Sequence, residues 1–108
     1  MTTRTAPGLI LALDQGGHGS RAVIFDHCGS EIASSHVPVA TQFGQAGFVE
    51  QDPLELATSL ARAALDACAS PAVAGRPIDA AGLATQRSTI VCWERSSGRA
   101  LTNAISWQ

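Results

Sequence analysis

Leu9 to Leu13 is an unbroken apolar run that delivers Asp14 into the glycine-rich stretch Gln15-Gly-Gly-His-Gly19. Five apolar residues without alternation predict a central strand buried on both faces, and the glycine-rich stretch predicts a tight turn returning into a second strand, Ala22 to Phe25. His27-Cys28-Gly29-Ser30 then reads as a hairpin turn. Glu31 to Ala40 continues as a third strand whose alternation is partial, with Ile32, Val37 and Val39 apolar. Three antiparallel strands in a meander follow. Thr41 to Gln51 carries Gly44 and Gly47 and reads as a loop. Residues 1–7 are polar and threonine-rich, a lead-in with no function of its own, so the fold begins at about Gly8.

The period changes after Gln51. Asp52-Pro53-Leu54-Glu55 supplies an N-cap, a proline at the first helical position and a glutamate at the third, a pattern worth about 1 kcal/mol to a helix. Leu54, Ala57, Leu60, Ala61, Ala64, Leu65 and Cys68 recur at helical spacing, while Thr58, Ser59, Arg62 and Asp66 fall largely elsewhere, so one stripe packs on a sheet. Ser70-Pro71 and Gly75-Arg76-Pro77 end the helix. Ala80 to Thr85 then predicts a short buried strand, parallel to the first because a helix intervenes. Gln86 to Thr89 follows, then Ile90 to Trp93 as another strand with Trp93 a core or interface filler. A turn at Ser96-Ser97-Gly98 leads into a last extended segment, Ala100 to Trp107.

Composition narrows the function. A chain of 108 residues that is 45% hydrophobic can bury a core. The net charge is −2, with seven scattered arginines and no lysine, which is not the basic stripe of a nucleic-acid binder. The apolar runs are too short to span a bilayer, and no signal-type segment opens the chain, so a cytoplasmic location is expected. Cys28, Cys68 and Cys92 are odd in number and widely spaced, which indicates neither a disulfide framework nor a zinc site.

The candidate chemistry lies at strand ends. A carboxylate at the end of a buried strand is costly unless a metal, a cation or several N–H groups compensate it, and Gly16, Gly17 and Gly19 let N–H groups approach an anion. A phosphate with Mg²⁺ meets both needs; a carboxylate that only bonds the first N–H groups of a turn is the other reading. Arg87 is either a ligand for a polar substrate or an ordinary surface arginine, and His18 either touches phosphate or is solvated.

Four segments together resemble the FGGY family of carbohydrate kinases. They are L-D-Q-G-x-x-x-S-R-A-V-I-F-D (Leu13 to Asp26), G-F-V-E-Q-D-P (Gly47 to Pro53), A-T-Q-R (Ala84 to Arg87) and N-A-I-S-W-Q (Asn103 to Gln108), in order across nearly the whole chain. The resemblance implies an α/β fold with an RNase H-like mixed sheet of the actin/hexokinase/Hsp70 type. Residues 8–108 would form the first part of the N-terminal domain of a two-domain kinase. It implies ATP and Mg²⁺ as cofactors and a sugar or polyol as substrate. Asp14 would hold the metal, and Gly16, Gly17, His18, Ser20 and Arg21 would line the phosphate turn. Gln86, Arg87 and Trp107 would bind the carbohydrate, the arginine fork on two hydroxyls and the indole on a carbon face.

The departures also inform. Gly17-His18-Gly19 stands where such kinases carry hydroxyl residues, and Ser88 stands where glycerol kinases carry glutamate, which argues against glycerol as the substrate. The family's base, an aspartate, lies beyond the position of Gln108, and none of Asp26, Asp52, Asp66 and Asp79 matches it. The expectation is therefore a kinase fragment that does not itself turn over. The alternative is a non-catalytic remnant whose free sheet edges favour self-association, or an ATP-binding regulatory module.

Overall fold

A computed structural model describes residues 7–108, so the predicted lead-in lies, apart from Pro7, outside the described residues. The elements are β1 (Leu9–Gln15), β2 (Gly19–Phe25), β3 (Glu31–Pro38), β4 (Gln42–Phe43), β5 (Val49–Gln51), α1 (Pro53–Cys68), β6 (Ile78–Thr85) and β7 (Ala104–Ile105). The first three strands form the expected antiparallel meander, and β6 lies parallel to β1, giving the order β3-β2-β1-β6. β2 starts at Gly19, earlier than the apolar run suggests, because Ser20 and Arg21 pair with Gln15 and Asp14.

Paired residues share a face of a sheet, so the register sorts the side chains. Leu11, Leu13 and Gln15 of β1 stand beside Ile24, Ala22 and Ser20 of β2 on one face, and α1 packs there, over β2 and β3. Ile10, Ala12 and Asp14 stand beside Phe25, Val23 and Arg21 on the other. That second face has no layer upon it among the described residues. β1 is thus covered on one side only, with Leu9 fully buried and Ile10 42% exposed, where the apolar run predicts burial on both. β6 departs further: it is exposed along its whole length, starts at Ile78 and leaves Leu83 60% accessible. Its position at the sheet edge, beyond the reach of α1, is the cause.

The cap of α1 forms as predicted, with Asp52 Oδ1 accepting from the Leu54 N–H at 2.9 Å. Glu55 does not turn back to the cap; its Oε1 accepts from the Ala40 N–H at 2.7 Å and fastens the incoming loop. The buried face also differs from the expected stripe. Leu56, Ser59, Ala63 and Ala67 face the sheet, while Leu54 and Leu65 are 67% and 68% exposed. Small residues explain the choice, since Ala63 and Ala67 let the helix axis approach the strands closely. Ser35 of β3 donates to the Ala63 carbonyl across this contact, and Leu9, Ala22, Ile24, Ala63, Ala67 and Val73 form the core.

A second, small sheet has the order β4-β5-β7. Its first two strands lie in the segment expected to be loop. They are too short for periodicity to show, and a 3₁₀ turn at Gln45–Gly47 joins them, with Gly47 at φ 78°. The expected strand at Ile90 to Trp93 reduces to isolated bridges, Ile90 to Ile105 and Trp93 to Ala100, and the extended segment at Ala100 to Trp107 keeps only β7 as strand. Trp93 is 61% exposed, not a core filler, because its hairpin stands clear of the main sheet.

Candidate functional site

The carboxyl end of β1 and the carboxyl end of its parallel neighbour β6 lie side by side, Gln15 paired with Thr85. Ligand sites of open α/β sheets form at such ends. Here the turn Gly16-Gly17-His18 leaves β1, and Gln86-Arg87-Ser88 leaves β6. The first turn is tight, its Gly16 N–H donating to the Gly19 carbonyl at 2.8 Å, and the His18 carbonyl accepts from Val39 at 3.1 Å. The second is anchored by the Gln86 N–H on the Gln15 carbonyl at 2.8 Å. Ser88 takes the left-handed region, φ 53°, a conformation that costs a side-chain-bearing residue roughly 1 kcal/mol.

Between the two turns opens a cavity of about 440 Å³ lined by Gly17, Thr85, Gln86, Arg87, Ser88 and Trp107. Gly17 of the first turn thereby meets all three residues expected on the carbohydrate side. A side chain there would intrude, since a Cβ would lie 3.0 Å from Gln108 Nε2 and 3.4 Å from Trp107 Nε1. Arg87 is exposed, and Trp107 is 58% exposed, so both can reach a ligand. The cavity combines an aromatic surface, a guanidinium and a glycine turn, a set suited to a polyhydroxy compound next to an anion.

The remaining expected residues separate by face. Asp14 and Arg21 are cross-strand neighbours on the open face, with His36 of β3 next in the same row. Asp14 and Arg21 are both exposed. Ser20 points the other way: it is fully buried, and its hydroxyl lies 2.7 Å from that of Ser59 on α1. The expectation that Ser20 lines the phosphate turn with its side chain is corrected by the period of two in β2, which gives Ser20 to the helix and Arg21 to the open face. Among the described residues no three His, Cys, Asp or Glu side chains gather. Asp14 alone, with a phosphate and water completing the shell, suits Mg²⁺, which keeps several waters and takes one or two carboxylates.

Sequence reasoning missed three glutamines. Gln15 is 8% exposed and Gln51 is fully buried, and they bond the Gly16 and Gly17 carbonyls at 2.9 and 2.8 Å. Gln108 also reaches the Gly17 carbonyl, at 3.3 Å. Glutamine is usually exposed, and although each of the three stands inside one of the motif segments, nothing local gives it a role; only the fold brings β1, β5 and the end of the chain together.

Residues 9–108 match the N-terminal domain of the FGGY family of carbohydrate kinases. The chain belongs to that family. It is 37% identical over 108 residues to a glycerol kinase of Pseudomonas entomophila, covering the whole of this chain and 22% of that one. It therefore spans about a fifth of the length of the curated relatives it matches. Among solved structures, a gluconate kinase from Lactobacillus acidophilus superposes with a TM-score of 0.82 at 20% identity, over 94% of this chain and 20% of its own. A Plasmodium falciparum glycerol kinase with ADP gives 0.81 at 24% identity, over 98% and 21%. The mixed sheet is accordingly that of the FGGY kinases, of the actin/hexokinase type.

Proposed function

We propose that residues 8–108 are the opening part of the N-terminal domain of an ATP-dependent kinase that phosphorylates a hydroxyl of a sugar or polyol. The observation that carries this reading is the shared cavity, in which Gly17 of the glycine turn stands with Arg87 and Trp107. Arg87 would donate to two adjacent hydroxyls, and Trp107 would cover the carbon face, so together they orient one hydroxyl towards the turn. Gln86 forms part of the cavity wall. Gly16, Gly17 and His18 supply backbone N–H groups near the phosphates, with Arg21 as a cation on the Asp14 face. Asp14 would hold Mg²⁺, which neutralises phosphate charge when bound with ATP. The chain's own aspartates outside the site do not stand at its mouth: Asp52 caps α1, and Asp26 bonds the N–H groups of Cys28 and Ser30 in a hairpin. The proton of the attacking hydroxyl is therefore assigned to a base outside these residues.

The test is the intact mass of the natural gene product, followed by measurement of ADP release with a panel of polyols and sugars. A mass several times 11.1 kDa and carbohydrate-dependent ADP release are expected. A mass near 11.1 kDa without ADP release would favour the second reading, a self-associating remnant, which the open face and the exposed β6 edge support.

A further inference from the structure

Three glutamine amides form one branched network under the glycine turn. Gln15 Nε2 donates to the Gly16 carbonyl and Gln51 Nε2 to the Gly17 carbonyl, at 2.9 and 2.8 Å. Gln86 Nε2 then donates to both of their oxygens, to Gln15 Oε1 at 3.3 Å and to Gln51 Oε1 at 3.0 Å. The polarity of this network is forced. Backbone carbonyls only accept, so the NH₂ groups of Gln15 and Gln51 must face the turn and their oxygens must face Gln86. Gln86 must answer with its NH₂ group, which spends both of its hydrogens. Its own Oε1 is left buried with no partner among the described residues.

The network acts on the turn through peptide geometry. In a planar trans peptide the N–H points opposite to the C=O. With the Gly16 and Gly17 carbonyls drawn towards the glutamines, the N–H groups of Gly17 and His18 point away from them. Neither N–H donates to any group among the described residues. Two adjacent unpartnered N–H groups held in one direction make an anion cradle.

We infer that Gln15, Gln51 and Gln86 are positioning residues that aim the Gly17 and His18 N–H groups at a phosphate oxygen. They compensate for the hydroxyl side chains that Gly17-His18-Gly19 lacks. This rests on the kinase reading above. Gln51 gives the cleanest test, because it is fully buried and lies outside the lining of the cavity. Gln51→Met keeps length and removes both bonds; Gln86→Glu keeps shape and reverses polarity. The experiment is calorimetric titration of the complete gene product with MgADP, well below the melting temperature of each variant. Each variant is expected to bind MgADP about five- to tenfold more weakly. In ¹⁵N spectra, moreover, the Gly17 and His18 amide signals should shift before any ligand is added. If Gln51→Met fails to fold, Gln86→Glu decides. Variants that melt at a lower temperature but bind MgADP as the unaltered protein does would overturn the positioning role and leave the kinase reading intact. Absence of MgADP binding by the unaltered protein would overturn both.

Discussion

At the scale of single residues, Asp14 and Ser20 stand six positions apart yet belong to opposite faces of the sheet, and their substitutions should separate function from stability. Asp14 is exposed and has no ion pair among the described residues, so removing its carboxylate disturbs no packing. In the complete protein Asp14→Ala should lower kcat by at least about a hundredfold, the scale seen when a preorganised charge-stabilising group is lost. Its unfolding free energy should stay within about 0.5 kcal/mol of the unaltered value. Steady-state kinetics beside a thermal melt reads both, and full turnover in the variant would remove Asp14 from the site. Ser20→Ala should do the reverse. It breaks the buried hydroxyl pair with Ser59, at about 1 kcal/mol, and should leave MgADP affinity unchanged because the side chain faces α1. The loss stays modest because the Ser59 hydroxyl also donates to the Leu56 carbonyl at 2.9 Å.

At the scale of elements, the helix and the meander were legible in the chain because each has a local cause. The Asp52-Pro53 start of α1 is written in two adjacent residues, and Asp52→Ala should cost about 1 kcal/mol, measurable by urea unfolding; a loss under a few tenths would mean that the Glu55 bond to Ala40 already holds the helix start. The face that α1 buries was less legible. Leu54 and Leu65 carry the stronger apolar signal, but α1 meets the sheet through Ala63 and Ala67, since close approach favours small side chains where two elements cross. The strands β4 and β5 escaped for another reason, and β7 was read only as part of the longer extended segment Ala100 to Trp107. Strands of two or three residues hold no period, and their pairing is decided by contacts distant in sequence, as between Glu50 and Ile105. The candidate site divides in the same way. Gly17, Gln86, Arg87 and Trp107 were singled out from the glycine turn and the motifs and line one cavity, whereas Gln15, Gln51 and Gln108, though inside the motifs, act through side-chain bonds that only the folded chain brings about.

At the scale of the whole molecule, the shape itself argues for a missing layer. The radius of gyration is 16.7 Å, against roughly 13 Å for a compact domain of this length. β6 is an edge strand exposed on both faces, with Leu83 60% and Ile78 36% accessible. An apolar edge of this kind either receives another part of the same polypeptide or pairs with a second copy. Leu83→Lys distinguishes the two. If further chain covers β6 in the complete protein, the substitution buries a charge there and should destabilise it by about 2–4 kcal/mol. The same change in the 108-residue chain should leave stability within about 0.5 kcal/mol and reduce self-association in light scattering, because a lysine on an open edge blocks strand pairing. Equal and small effects in both would show that β6 stays open in the complete protein as well. The edge would then be a surface for a second copy, and the extended shape a property of the finished molecule.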